Sequence, residues 1–486
     1  MSHSITSLQP EKVWRHFENI CRTPRPSKKE EKILKHLIDF AKSQKLSCLQ
    51  DACGNILIRK AATAGCEKAT PVILQCHVDM VCEKNADIVF DFLRDPIVPK
   101  VENGWVTATG TTLGADNGIG MAVMMAILED PDIVHGPLEC LFTIDEETGL
   151  TGAFGLEPDF LKGRILLNLD SADEGELCIG CAGGIDTEAI FEFTPKSPEK
   201  NQSAFELKIS GLQGGHSGDD INRGRGNAIK ILTRLLWNLE RQFPLSIASI
   251  NGGNLRNAIA REARAVFLIA GQEEVNAMLE FCRNLTGEIL DEIAQNEPDC
   301  NIEIVETQMP DSCMDASFQR LLLNILYASP HGVITMSPNI EGLVETSTNL
   351  ASVKTLENTV KVATSQRSAL ESGKSLASQM VRSSFELGGA QIKHGDGYPG
   401  WKPNVQSPIL QICSNVYKKM FGTEPKVLAI HAGLECGVIG GKYPGMDMIS
   451  FGPTIKGAHS PDERVEIASV QRFWDFTLGI LKSICK

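Results

Sequence analysis

Three apolar runs in this chain each end in side chains that proteins rarely bury without a partner. The runs and their polar ends are "ILQCHVDMV" (73–81) with His77 and Asp79, "LECLFTIDEE" (138–147) with Asp145, Glu146 and Glu147, and "RILLNLD" (164–170) with Asp170. Apolar runs without alternation are typical of strands that are buried on both faces of an α/β sheet. Ligands bind beyond the carboxyl ends of such strands. The pattern therefore predicts an α/β fold with a functional site at one edge of its sheet.

Two more candidate ligands lie elsewhere in the sequence. A fourth run, "MDMISFGPT" (446–454), precedes His459 in "IKGAHSPDE", and Asp116 lies in "GTTLGADNGIG" at the start of a predicted helix. The glycines around Asp116 lack the Gly-x-Gly-x-x-Gly spacing and the preceding strand that a dinucleotide site requires. We therefore expect Asp116 and His459 to join the strand-end residues.

The length of 486 residues is too great for one ordinary core and predicts two domains. The first part reads as helices and strands in turn, with Ser27 as the N-cap of the second helix. Its predicted helices are 10–22, 28–44 and 116–130, and its predicted strands are 54–60, 71–79, 136–147 and 164–170. Residues 187–400 combine longer helices (227–242, 273–296 and 369–388) with alternating strand segments. We predict a mixed-sheet domain formed by residues 1–186 and 401–486, with an inserted α+β domain at 187–400.

Composition excludes several classes of function. The net charge of -14, without a basic stripe, argues against nucleic acid and anionic membranes as partners. No apolar run is long enough to span a membrane, and the N-terminus lacks the layout of a signal peptide. Fifteen cysteines in such a chain indicate reduced thiols in the cytoplasm. The one close pair, Cys178 and Cys181, lacks a second ligand pair and is interpreted as two buried thiols.

The strand-end carboxylates need a counter-charge if they share one cleft. Carboxylates a few ångströms apart cannot all stay ionised alone, and no lysine or arginine is next to any of these carboxylates in the sequence. Two divalent metal ions would supply the missing charge. Histidine and carboxylate ligands without cysteine suit zinc, with cobalt or manganese as substitutes. A single His-x-Asp or Glu-Glu pair is usually structural, so the prediction depends on their joint placement after successive strands.

Longer stretches of the sequence resemble the M20 metallopeptidases. The stretches that carry the resemblance are "QCHVDMV", "GTTLGADNGIGMA", "TIDEETGLTGAFGL", "NLDSADEGE" and "HSPDE". Four further stretches narrow the resemblance to the branch of the aminoacyl-histidine (Xaa-His) and cytosol non-specific dipeptidases. They are "CAGGID", "GGHSGDDI", "NGGNLRNAI" and "HAGLECG". The resemblance covers nearly the whole chain. It implies a zinc-peptidase catalytic domain, and it implies that the inserted domain acts as a lid.

The resemblance also implies a role for each ligand. Asp116 would bridge two metal ions, His77 and Asp170 would complete one site, and Glu147 and His459 would complete the other. The peptide bond between Asp116 and Asn117 is typically cis in this family.

Further roles are implied for residues beside the metals. Asp79 would orient His77 through the far ring nitrogen, as carboxylates do for metal-bound histidines. Glu146 would be the general base, taking a proton from a water between the metals and passing it to the leaving amine.

On the inserted domain the resemblance points to His216 as a donor to the oxyanion, although a histidine between glycines is more often a turn residue. Arg367 occupies the place of an arginine that binds the substrate carboxylate, with Arg256 as its competitor. His431, with Glu435, is a candidate contact for the substrate.

The expected reaction is metal-dependent hydrolysis of unsubstituted dipeptides, with a preference for Xaa-His. The alternatives are another M20 hydrolase, such as an N-acyl amino acid deacylase or tripeptidase, and a non-catalytic metal-binding protein. The presence of Glu146 argues against the last of these. "NAIARE" and "SQRSAL" depart from the family pattern and leave substrate preference less defined than the reaction. The inserted domain could support a homodimer or mimic one internally.

Overall fold

The computed structural model describes residues 4–485, which divide into two units. Unit 1 contains the described chain up to Cys181, then Trp401–Ala429, and again the chain from Leu434 onward. Unit 2 contains Ala182–Gly400 and the short return Ile430–Gly433.

Unit 1 is built on a mixed sheet, as the sequence predicts. Its strands are β1 (Ser47–Gln50), β2 (Ile56–Lys60), β3 (Val72–His77), β4 (Lys100–Glu102), β5 (Trp105–Thr107), β6 (Leu138–Thr143), β7 (Ile165–Asn168), β8 (Glu176–Cys181), β22 (Lys426–Ile430), β23 (Asp447–Ser450), β24 (Ile455–Lys456) and β25 (Arg464–Glu466). The main sheet has the order β1-β2-β6-β3-β7-β23-β8-β22, and a small sheet has the order β24-β25-β5-β4.

The centre of the main sheet is parallel and fully buried. Strand β3 pairs in parallel with both β6 and β7, and β7 pairs in parallel with β23. All six residues of β3 and all six of β6 are buried, which confirms the prediction from their unbroken apolar runs. Because these strands run in parallel, their carboxyl ends lie at the same edge of the sheet.

Helices complete unit 1. They are α1 (Glu11–Cys21), α2 (Glu31–Ser43), α3 (Ala115–Glu129), α4 (Thr151–Gly155), α9 (Pro408–Phe421), α10 (Glu435–Lys442) and α11 (Ile467–Ile484). Helix α1 buries one face through Val13, Phe17 and Ile20, at the spacing of an amphipathic helix. Helix α3 is buried almost throughout, which explains its small and apolar composition. The predicted helices of this region are therefore confirmed.

The prediction for Ser27 is wrong. Helix α2 starts at Glu31 with Glu30 at the N-cap position, and its N-cap makes no side-chain hydrogen bond. The Ser27 hydroxyl instead donates to Asp79 Oδ2 at 2.8 Å. Ser27 thus forms a tertiary hydrogen bond with Asp79 and does not cap helix α2, contrary to the prediction from the local sequence pattern.

Unit 2 is an α+β unit, as expected from its alternating segments. Its strands are β9 (Gly183–Glu192), β10 (Pro195–Lys196), β11 (Gln202–Ser210), β12 (Gly215–His216), β13 (Leu245–Gly252), β14 (Ala258–Ile259), β15 (Ala263–Ala270), β16 (Asn301–Glu306), β17 (Cys313–Met314), β18 (Gly332–Met336), β19 (Val344–Leu356), β20 (Thr359–Ser368) and β21 (Gln391–His394). Its helices are α5 (Ala228–Gln242), α6 (Gln272–Ile293), α7 (Ala316–Ala328) and α8 (Glu371–Glu386).

The main sheet of unit 2 has the order β16-β11-β15-β13-β19-β20-β9-β21, with β18 paired to β19. Its pairings are antiparallel. The core lies between this sheet and the helices and contains Phe267 and Leu232 among its buried residues.

Two expectations from composition can be compared with the structure. Among residues 4–485, no helix combines the length and the apolar character needed to cross a membrane. None of the fifteen cysteines, which all lie within residues 4–485, forms a disulfide, and Cys178 and Cys181 are both buried, as predicted for that pair.

Candidate metal centre and active site

The candidate ligands come from the ends of the parallel strands and from two loops. His77 is the last residue of β3, Glu146 and Glu147 follow β6, and Asp170 follows β7. Each therefore lies at the carboxyl edge of the sheet, because β3, β6 and β7 run in parallel.

The other two candidates reach the same edge from outside the central strands. Asp116 stands at the start of α3 with non-helical backbone angles. His459 lies between β24 and β25 in a left-handed conformation, with φ 63°. The Asp116–Asn117 peptide bond is cis, which confirms the expectation for this position.

These residues form two groups that share one carboxylate. In the first, His77 Nε2 lies 3.1 Å from Asp116 Oδ1 and 3.4 Å from Asp170 Oδ1. In the second, His459 Nε2 lies 3.4 Å from Asp116 Oδ2 and 3.1 Å from Glu147 Oε2. The ligand atoms within each group lie within 4.8 Å of one another. Asp116 thus offers one oxygen to each group, which is the arrangement that a bridging ligand requires.

The charges around these groups favour cations. Burial opposes protonation of His77, yet the carboxylates of Asp170 and Asp116 outweigh it and raise its pKa well above the usual value. Hydrogen bonds to Asp116 and Glu147 raise the pKa of His459 to about 10. Both shifts have the same cause, since the two histidines face more negative charge than the protein itself neutralises.

The residues also fit metal ions by their donor chemistry. Glu147 Oε1 is buried and makes no hydrogen bond, so it has a lone pair free for a ligand. Each of the two groups combines one histidine nitrogen with carboxylate oxygens, a donor set that suits zinc and its substitutes. No cysteine takes part in any metal-competent group found among residues 4–485. Two divalent ions would therefore be held by His77, Asp116 and Asp170, and by Asp116, Glu147 and His459.

Asp79 is a buried support for this centre. Its Oδ1 lies 3.3 Å from His77 Nδ1, the ring nitrogen that faces away from Asp116. It also accepts hydrogen bonds from the backbone N–H groups of Glu146 and Glu147, at 3.0 and 3.2 Å. Burial raises its pKa, but the hydrogen bond and charge of His77 outweigh this and lower it to about 2. A single ionised carboxylate therefore orients His77 and fixes the turn that carries both glutamates.

Glu146, the predicted general base, lies beside the candidate centre. Its side chain belongs to a third metal-competent group with His77 and Glu147, and the residue is partly exposed. Burial of its carboxyl, with the nearby negative charges of Asp170 and Glu435, raises its pKa well above the usual value. A carboxylate with a raised pKa accepts a proton more readily at neutral pH.

Unit 2 brings together His216 and Arg367. Arg367 is buried, and its Nη2 lies 3.5 Å from His216 Nε2. Its Nη1 donates to Tyr398 Oη at 2.9 Å, and its Nε donates to Ser217 Oγ at 3.4 Å. Within the described chain no carboxylate forms an ion pair with Arg367. Arg256 differs, since it is exposed and pairs with Asp186 Oδ2 at 3.0 Å.

Glycines permit this arrangement. A Cβ atom at Gly184 would lie 2.7 Å from the ring of Tyr398, and one at Gly218 would lie 2.2 Å from the backbone oxygen of His431. His431 is buried, and its Nε2 hydrogen-bonds Ser347 Oγ at 2.7 Å. The glycine-rich motifs around His216 therefore allow close packing of the polar side chains.

The family is shown by a match over most of the chain. The family model described as "Peptidase family M20/M25/M40" matches residues 73–483. This chain belongs to the M20 peptidases. The resemblance read from the sequence is thereby confirmed at the level of the family.

Two relatives of this M20 peptidase are similar along their whole length. The "Cytosol non-specific dipeptidase" of Escherichia coli (strain K12) is 42% identical over 480 residues, covering 99% of each chain. The crystal structure of an aminoacylhistidine dipeptidase from Vibrio alginolyticus is 44% identical, with a TM-score of 0.92 over 99% of this chain and 98% of that one. The aminopeptidase PepT from Bacillus cereus shares the fold alone, at 15% identity and a TM-score of 0.59 over 99% of this chain and 100% of that one.

Sequence reasoning missed several polar residues that support the centre of this M20 peptidase. Asn117 Nδ2 donates to Asp170 Oδ1 at 2.5 Å. Gln75, in the middle of buried strand β3, donates to Glu435 Oε2 at 2.5 Å and accepts from Asn168 Nδ2 at 2.6 Å. The sequence could have revealed Gln75 and Asn168, because amide side chains inside apolar strands are buried and need hydrogen-bond partners.

Glu435 lies in unit 1 and is fully buried, below the ends of the central strands. Its Oε2 also accepts from Thr143 Oγ1 at 2.8 Å. Burial raises its pKa to about 7. Its predicted contact with a substrate stays a prediction.

Proposed function

We propose that this M20 peptidase hydrolyses unsubstituted dipeptides with the help of two divalent metal ions. The observation that carries the proposal is the pair of His–carboxylate groups that share Asp116 beside Glu146. Two relatives of full length that are named as dipeptidases, at 42% and 44% identity, support it. The name of the Vibrio relative further supports a preference for a C-terminal histidine.

Proton transfer at the reacting bond would depend on Glu146. Bound ions would polarise the scissile carbonyl and lower the pKa of a water molecule. Glu146 accepts the proton of the attacking water and passes it to the nitrogen of the leaving amine. Asp79 keeps His77 oriented and, through the two backbone N–H groups, keeps Glu146 in place.

Zinc is the proposed metal, with cobalt and manganese as substitutes. The proposal is supported by donor sets that contain histidine and carboxylates in each group. We also propose a cytoplasmic location, supported by the name of the Escherichia coli relative and by fifteen cysteines that form no disulfide.

Unit 2 is proposed as a lid that supplies groups to the substrate. His216, whose side chain is 33% exposed, would donate a hydrogen bond to the developing oxyanion. Arg367 would bind the free carboxylate, which its buried and unpaired guanidinium suits. Arg256 is a weaker candidate because its charge is already paired. His431, held by Ser347, is a further proposed contact. The homodimer remains a prediction from the sequence.

The proposal predicts metal-dependent hydrolysis of free dipeptides. Protein stripped with a chelator should lose activity on Ala-His and β-Ala-His, and should regain it when zinc, manganese or cobalt is returned. N-acetylated dipeptides should not be cleaved. Product release measured by chromatography tests this directly. Cleavage of the N-acetylated substrates instead would favour the deacylase alternative, and no cleavage with two bound ions would favour the non-catalytic one.

Replacing Arg367 with alanine should raise KM for dipeptides roughly 10–100-fold, since a hydrogen bond to a charged group contributes about 1.5–3 kcal/mol. The measurement compares Ala-His with its C-terminal amide, which lacks the carboxylate. The wild type should prefer the acid, and Arg367→Ala should lose that preference. Arg256→Ala is the matched control and should keep it. The opposite result for the two variants would assign the carboxylate site to Arg256.

A further inference from the structure

We propose that Glu463 and Arg25 are positioning residues that hold the turn before Asp116 from two sides and thereby set the metal affinity of both groups. The inference rests on the proposed role of Asp116 as the shared ligand. Neither residue touches a ligand atom of the centre, and both act through the backbone.

Glu463 binds the turn by three backbone N–H groups. Its Oε2 accepts from Leu113 N and from Gly114 N, both at 2.8 Å. Its Oε1 accepts from Asp116 N at 3.2 Å. The residue is only 2% exposed. Leu113 and Gly114 precede α3, and Asp116 lies in its first turn, where N–H groups have no partner within the helix, so Glu463 satisfies all three donors.

Arg25 binds the same turn from the side of strand β3. Its Nη2 donates to Gly114 O at 2.5 Å, and its Nη1 donates to Val78 O and Asp79 O at 3.0 and 2.7 Å. The side chain is 1% exposed, and these three hydrogen bonds all end on backbone carbonyls. Arg25 therefore ties the segment that follows His77 to the segment that precedes Asp116.

Gly114 is a position in this turn that accepts no side chain. It has φ 71°, a region that favours glycine, and a Cβ atom there would lie 2.5 Å from Arg25 Nη2 and 2.8 Å from Met80 Sδ. The peptide groups on either side of Gly114 are thus held by one carboxylate and one guanidinium. Asp116 follows two residues later, so a shift of the turn moves both of its oxygens together.

Such a shift would disturb both metal groups, because Asp116 belongs to each. Residues that orient metal ligands typically change metal affinity by about 10–100-fold when they are replaced. A residue that only stabilised the fold would change the unfolding temperature and leave metal affinity as it was. Metal affinity measured without substrate therefore separates positioning from general stabilisation.

The test is Glu463→Gln, with Glu139→Gln as its matched control. Glu139 is also a buried glutamate whose Oε2 accepts two consecutive backbone N–H groups, those of Lys162 and Gly163, at 2.7 and 2.8 Å. Glutamine keeps the shape but replaces one acceptor oxygen with a donor. Zinc affinity, measured by competition with a chromophoric chelator, should fall about 10–100-fold in Glu463→Gln only. The visible spectrum of the cobalt-loaded protein should change in the same variant.

Arg25→Lys provides a second variant in case Glu463→Gln does not fold, and it should also weaken zinc binding. Zinc affinity equal to that of the wild type in either folded variant would overturn the inference, as would an equal loss in Glu139→Gln. A wild type that binds two zinc ions but cleaves no dipeptide would contradict the proposed function alone. A wild type that binds no zinc would overturn both.

Discussion

Replacing Glu146 with alanine should abolish dipeptide hydrolysis and leave two metal ions bound. General acid–base catalysis contributes about 10²–10⁴-fold to a reaction rate, so kcat should fall by at least that range. The metal content should not change, because Glu146 belongs to neither of the two groups that share Asp116. The measurements are kcat on a free dipeptide and zinc per chain by elemental analysis.

Glu147→Gln is the matched control, since it alters the neighbouring residue of the same turn. Glu147 contacts His459 Nε2 and is expected to hold a metal, so this variant should lose about one ion per chain. The third metal-competent group contains His77, Glu146 and Glu147 together, which makes an exchange of roles a real alternative. If Glu146→Ala loses metal and Glu147→Gln keeps both ions, the base and the ligand have been assigned the wrong way round.

Replacing Asp116 with asparagine should remove both metals and all measurable hydrolysis. Each oxygen of Asp116 serves a different histidine, so one substitution weakens both groups at once. Asp170 serves only the group of His77, and Asp170→Asn should therefore keep about one ion per chain. Zinc content should be highest in the wild type, lower in Asp170→Asn and lowest in Asp116→Asn. This order tests whether Asp116 is a ligand of both metals. Equal losses in the two variants would mean that Asp116 does not bridge.

The strand-end residues of the candidate centre were predictable because the burial of a strand is visible in its local sequence. The short apolar run that ends in His77 is typical of a buried strand, and parallel pairing of β3 with β7 brings Asp170 to the same edge. Asp116 and His459 were candidates from their motifs alone, but their roles were assigned with the help of the family resemblance. Their loops approach the sheet through contacts between residues far apart in the chain, and no local pattern encodes those contacts.

Ser27, Arg25 and Glu463 show what local reasoning does not reach. Ser27 has the sequence of a helix cap, but a buried carboxylate offers it a better partner than the helix end does. The hydrogen bonds of Arg25 and Glu463 described above end on backbone atoms. Every residue has a backbone, so the identities of the partner residues do not reveal these hydrogen bonds. Such residues become visible only when the partners of each buried charge are traced.

The brief return of the chain to unit 2 at Ile430–Gly433 limits how unit 2 can be transferred between related proteins by recombination. A splice that joined Cys181 to Trp401 would remove most of unit 2 but would leave His431 behind. Unit 2 is therefore not one continuous segment of the chain. Recombination between relatives could transfer it whole only by also replacing the stretch from Trp401 to Gly433, so that Arg367 and His431 would be inherited as one linked block.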